Sequence, residues 1–121
     1  MFSGLRTVIY KVTDIEKARD WYSLLLGFKP YFDEAFYVGF NVAGYELGLQ
    51  PVENLSDNIS TRTITYWGVE KIEEAFARIQ SHGAIVVESI QDVGDGIKVA
   101  TLADPFGNVV GIIENPHFKL D

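Results

Sequence analysis

The 121 residues contain no cysteine, which excludes disulfides, thiolate metal ligands and cysteine nucleophiles. Histidine is nearly absent too, with two residues, so an imidazole-rich metal centre cannot be assembled. Basic residues are outnumbered, 10 Lys and Arg against 17 Asp and Glu, for a formal charge of −7. Such a chain repels phosphate backbones and anionic bilayers, which disfavours nucleic acid and membrane surfaces as partners. No apolar run approaches the roughly 18 residues needed to span a bilayer, and residues 1–6 lack the basic and apolar regions of a secretory signal. A cytoplasmic protein is the expectation.

What is present is the balance of a globular chain, 47% apolar and 22% charged. Its length sits near the commonest size for one domain, so a single domain over 1–121 is expected.

An internal repeat organises it. Val12, Ile15, Glu16 and Ala18 recur at the same spacing as Val69, Ile72, Glu73 and Ala75, and the run Gly44 to Leu49 is answered by Gly107 to Ile112. The repeats cover about 4–50 and 61–115, joined by a polar linker over 51–60.

Within the first repeat, Thr7 to Val12 alternates as a half-buried strand, with Val8, Tyr10 and Val12 on one face and Thr7, Ile9 and Lys11 on the other. Thr13 with Glu16 fits a capping box, Ile15 to Leu26 follows helical spacing, and Gly27 supplies the stop. Strands are predicted at Lys29 to Phe32, Ala35 to Val42 and Tyr45 to Gln50, with turns at Asp33, Glu34 and Gly44. The second repeat reads as strand Arg62 to Trp67, helix Ile72 to Ser81 ending at Gly83, and strands Ala84 to Gln91, Ile97 to Leu102 and Asn108 to Ile113. Asp104-Pro105-Phe106-Gly107-Asn108 has the Pro and Gly of a tight turn.

The segment Val12 to Tyr22, the helix end Leu25-Leu26-Gly27-Phe28 and the stretch Leu102 to Asn108 together resemble the vicinal oxygen chelate superfamily of glyoxalase I, bleomycin-resistance and fosfomycin-resistance proteins and extradiol dioxygenases. The resemblance spans nearly the whole chain. It implies an α+β fold in which two tandem βαβββ units curl a mixed sheet into an open barrel, with helices on the convex side and a pocket on the concave side. Metal-dependent members place His, Glu or Gln on the first and last strand of each unit. The matching residues here are Thr7 and Ile64 on the first strands and Gly48 and Gly111 on the last, so no metal cofactor is expected. Neighbouring Glu46, Gln50, Thr65 and Glu114 could serve only after a register slip, and a one-residue slip reverses the sheet face. His82 reads as a partner of the helix end and His117 as an exposed tail residue.

Two functions follow from the resemblance. One is a metal-free module of the bleomycin-resistance kind, commonly a homodimer, that holds a small aromatic or cationic molecule against Thr7, Ile9, Lys11, Phe40, Glu46, Gln50 and Tyr66. The other is an enzyme, a lyase, isomerase or dioxygenase with an atypical metal site or with Glu46 as acid or base, its carboxylate enclosed by Phe40, Leu47 and Tyr66. An interaction domain docking through the tail Pro116 to Asp121 is a third reading.

Overall fold

A computed structural model describes residues 1, 3–54 and 63–120. The chain forms two compact units, Met1–Asp57 and Asn58–Asp121. Each is a βαβββ module, so the α+β class and the duplication read from the sequence are both present.

The first unit contains β1 (Thr7–Val12), α1 (Ile15–Leu26), β2 (Phe32–Glu34), β3 (Tyr37–Val42) and β4 (Tyr45–Pro51). The strands lie in the order β1-β4-β3-β2, with β1 parallel to β4 and the other pairs antiparallel. The helix starts one residue later than the capping-box reading: Asp14, not Thr13, is the N-cap, and its carboxylate accepts from the Lys17 N–H at 3.1 Å. Gly27 ends the helix as expected, at φ 86° with its N–H bonded to Ser23 O.

β3 and β4 are joined by the two-residue turn Ala43-Gly44, both residues at positive φ, which suits the right-handed twist of the flanking strands. Asp33 and Glu34, expected to form a turn, are instead in β2, and the reversal falls on Ala35 and Phe36. The core lies between sheet and helix: Tyr10, Val12, Val38, Phe40, Leu47 and Leu49 pack under Ala18, Tyr22 and Leu25 of α1.

The second unit contains β5 (Tyr66–Gly68), α2 (Ile72–Ser81), β6 (Ile85–Gly94), β7 (Ile97–Ala103) and β8 (Val109–Glu114), with strand order β5-β8-β7-β6. β5 is shorter than its expected Arg62 to Trp67, of which Arg62 lies outside the described residues, as does most of the expected linker. β6 is longer than expected, with register shifts against β7 that mark bulges along an edge strand.

α2 has no local side-chain cap. Glu114 from the end of β8 accepts from the Ile72 N–H at 2.9 Å, so a carboxylate 42 residues away does the capping. Lys98 of β7 bonds Glu73 at 3.0 Å, and that hydrogen bond holds the Glu73 carboxyl below the usual range. At the other helix end the His82 Nδ1–H donates to Arg78 O at 2.9 Å, the helix-end role read from the sequence. His117 is exposed, yet its Nε2–H donates to Asp95 O and ties the chain end to the β6–β7 turn.

The 104–108 turn, expected from its Pro and Gly, is organised by Asp104. Asp104 is buried, and its Oδ1 accepts from the N–H groups of Phe106 and Asn108. Gly107 has φ 90°. Gly107→Val is therefore expected to destabilise the protein by about 1 kcal/mol or more. The check is the midpoint and slope of urea denaturation, and an unchanged midpoint would mean the backbone there tolerates a branched side chain.

Among the described residues no helix is long and apolar enough to cross a membrane.

Candidate functional site

The side of the first sheet away from α1 carries the candidate site. Strand alternation puts Thr7, Ile9, Lys11, Glu46 and Gln50 on this side, as the parity of the sequence requires. Phe40 is a correction. Its register partner is Leu47, it is fully buried, and its ring packs near Tyr22 and Phe28 on the helix side. Leu47 shares that side, so neither residue encloses Glu46.

One cross-strand row defines the floor. Ile9, Gly48, Gly39 and Phe32 stand opposite one another across all four strands, so two adjacent glycines leave a bare strip between two apolar residues. Into this strip lean two tyrosines. A Cβ at Gly48 would meet the Tyr37 ring, with Cε1 at 2.9 Å, and a Cβ at Gly39 would lie 3.2 Å from both Tyr31 Cε1 and Glu46 Oε1. The absence of two side chains is what lets these three groups lie close to the sheet.

Glu46 is fixed from both sides. The Tyr31 hydroxyl donates to Oε1, and the Tyr37 hydroxyl donates to Oε2 at 2.6 Å. Hydrogen bonds onto an ionised oxygen are roughly twice as strong as neutral ones, so the two phenols hold the carboxylate in one orientation. Burial pushes the Tyr37 hydroxyl above its ordinary pKa. Among the described residues, no Lys, Arg or His forms an ion pair with Glu46. The ring of Phe32 lies 6.2 Å from that of Tyr37 and 5.9 Å from that of Phe36, extending an aromatic surface outward from the carboxylate.

Tyr31, Tyr37 and Phe32 were not among the residues picked from the sequence. A signal existed for part of this: centring the hairpin on Ala43-Gly44 sets Gly39 opposite Gly48 and Asn41 opposite Glu46, which exposes the paired glycines. The reach of Tyr31 from outside any strand had no signal.

The second unit repeats the device in altered form. Tyr66 is opposite Gly111, and a Cβ on Gly111 would meet Tyr66 Cδ1 at 2.8 Å and the Thr65 carbonyl oxygen at 2.6 Å. Tyr66 thus covers the last-strand glycine of its own sheet.

These observations bear on the metal that the resemblance raised. Gly48 and Gly111 supply no donor atom, and the space a donor side chain would need is filled by the rings of Tyr37 and Tyr66. Glu114, a fallback candidate, is engaged at the start of α2. Among the described residues no three His, Cys, Asp or Glu side chains gather as a metal site would require. The residues at these positions do not fit a divalent ion.

Comparison with known proteins agrees with the fold. The protein-family model described as the Glyoxalase/Bleomycin resistance protein/Dioxygenase superfamily matches residues 4–112. Among solved structures, a glyoxalase-related enzyme from Fulvimarina pelagi superposes with a TM-score of 0.79 at 16% identity, covering 99% of this chain and 94% of its own. A glyoxalase/bleomycin resistance protein/dioxygenase family enzyme from Burkholderia phytofirmans PsJN gives 0.77 at 16% identity, with 93% and 98% covered. A glyoxalase/bleomycin resistance protein from Albidiferax ferrireducens T118 gives 0.74 at 19% identity, with 93% and 98% covered. Curated protein sequences yield no significant match. With a family model spanning most of its length and the duplicated βαβββ module in place, the chain belongs to the glyoxalase/bleomycin resistance protein/dioxygenase superfamily.

Proposed function

We propose that this protein is a metal-free small-molecule binding module of the cytoplasm, and that the glycine-floored face of its first unit is where the molecule sits. The observation that carries the reading is the Glu46 carboxylate, fixed by two phenols and paired with no cation among the described residues. A charged group so oriented among aromatic rings is the kind of sparse polar anchor that ligand sites use within an otherwise apolar wall. Thr7, Ile9, Lys11 and Gln50 share its side of the sheet and extend the surface available for contact.

Binding is favoured over acid–base catalysis by the same geometry. Both oxygens of Glu46 already accept hydrogen bonds from neighbours in the protein, which suits a fixed anionic contact better than a base that must reach a substrate proton.

The test is a thermal-shift screen of small molecules, followed by calorimetry on wild type and Glu46→Gln, with metal content measured on protein purified without chelator. Loss of the anchor charge is expected to weaken hits by about 1 kcal/mol or more without lowering thermal stability by a comparable amount. A stoichiometric divalent ion held by side chains of the chain would overturn the metal-free reading, and hits indifferent to Glu46→Gln would move the site elsewhere.

A homodimer belongs to the same reading, because the edge strand β6 leaves Ile85, Val87 and Val93 exposed and an uncovered edge invites pairing. Sedimentation at micromolar concentration is expected to give twice the monomer mass, and a monomer throughout would remove this element.

A further inference from the structure

We propose that residues 29–36 form a hinged strap over the candidate site, which peels from the sheet as one piece and in doing so frees the Glu46 carboxylate and the backbone at Gly39. Its role as a gate rests on the proposed binding function. The motion itself follows from how the segment is held.

Packing gives the first reason. Every residue of 31–36 is exposed, and β2 is the outermost strand of its sheet. The core of the unit is supplied by β1, α1, β3 and β4, with no side chain from β2. Detaching β2 therefore uncovers little apolar surface, and segments with few buried apolar contacts open at free energies well below that of global unfolding. Phe32 does have ring neighbours in Phe36 and Tyr37, but Phe36 lies in the turn of the same hairpin and moves with it.

The second reason is the nature of the fastenings, which are polar. The Tyr31 N–H donates to Gly39 O at 3.0 Å, the Tyr31 hydroxyl donates to Glu46, and Asp33 pairs with Arg19 of α1 at 3.5 Å. Exposed ion pairs contribute little, and an exposed hydrogen bond is readily exchanged for one with water. The chain on either side is held more firmly. Phe28, its ring 6.3 Å from that of buried Phe40, anchors the segment before the strap, and β3 anchors it after.

Opening has a chemical consequence at the site. Tyr31 leaves Oε1 of Glu46, whereas Tyr37, on β3, keeps its bond to Oε2. The Tyr31 ring also lies over Gly39, where a Cβ would be 3.2 Å from its Cε1, so its departure bares the backbone there. The part of the strip that Tyr31 fills in the closed structure is thereby exposed beside a carboxylate that is still oriented.

Amide hydrogen exchange of the full chain labelled with nitrogen-15 tests the strap, under conditions where the rate reports the opening equilibrium. The Tyr31 amide is expected to be at least about 100-fold less protected than the amides of the β3–β4 ladder and of Tyr22 in α1. Glu46→Gln turns a charge-assisted hydrogen bond into a neutral one, and should lower the protection of Tyr31 by a further factor of about five while leaving Tyr22 unchanged. Protection of Tyr31 equal to that of the ladder would make the segment an integral part of the sheet and overturn the proposal. So would a Glu46→Gln effect that is spread evenly over all amides or is absent at Tyr31. No ligand enters the measurement, so a strap that stays closed leaves the binding function to its own screen, and a screen without hits removes the gate's purpose while leaving the motion in place.

Discussion

Phe40→Ala is expected to lower the free energy of unfolding by about 3 to 5 kcal/mol, the range for truncating a buried phenylalanine. The side chain is fully buried on the helix side of the first sheet, with Tyr22 of α1 and Phe28 just past it as ring neighbours. Alanine there removes the transfer contribution of the ring and leaves a cavity between a strand and a helix that cannot both collapse onto it. The result is read from urea denaturation followed by far-ultraviolet circular dichroism. Ligand affinity of the folded fraction should be unchanged, since Phe40 and Glu46 sit on opposite sides of the sheet. A loss of affinity with stability barely altered would place Phe40 in the binding surface after all.

The second large effect concerns a single methyl group. Gly111→Ala is expected to cost about 2 to 3 kcal/mol, near the upper end for overpacking a tight site. Its Cβ would lie 2.6 Å from the Thr65 carbonyl oxygen, and the same oxygen accepts the Gly111 N–H at 2.9 Å. Backbone must therefore move, and the parallel pairing of β5 with β8 is weakened at the point of substitution.

Gly48→Ala, at the corresponding place in the first unit, should cost less. There the obstruction is the far end of the Tyr37 side chain, which can swing aside. The penalty at Gly48 falls on function, because a displaced Tyr37 gives up its 2.6 Å hydrogen bond to Glu46. The two variants, compared by denaturation and by ligand affinity, should thus separate: Gly111→Ala mainly in stability, Gly48→Ala mainly in binding. Equal stability losses would show that the Tyr37 ring is held as rigidly as backbone.

The period of the apolar residues, the helix stop at Gly27 and the repeat of Val12, Ile15, Glu16 and Ala18 at Val69, Ile72, Glu73 and Ala75 were legible in the chain, because each is a property of local spacing. Alternation likewise fixed the side of the sheet that receives Thr7, Ile9, Lys11, Glu46 and Gln50. The last-strand glycines Gly48 and Gly111 were picked out by the family resemblance, and their missing side chains are a fact of composition alone.

What the chain could not disclose depends on contacts between distant segments. Phe40 was placed beside Glu46 although the Ala43-Gly44 hairpin pairs Phe40 with Leu47, and register across a turn decides the face. Glu114 looks like a free carboxylate at the end of a strand until β8 brings it to the unsatisfied N–H of Ile72. Tyr31 lies outside every strand, and only the β2–β3 hairpin, with the Tyr31 N–H bonded to Gly39 O, carries its ring over the sheet to Glu46. Local spacing determined most of the elements and the alternation of faces along each strand. Tertiary pairing decided which polar groups meet, because a hydrogen bond depends on separation in space and residues far apart in sequence have that set only by the folded chain.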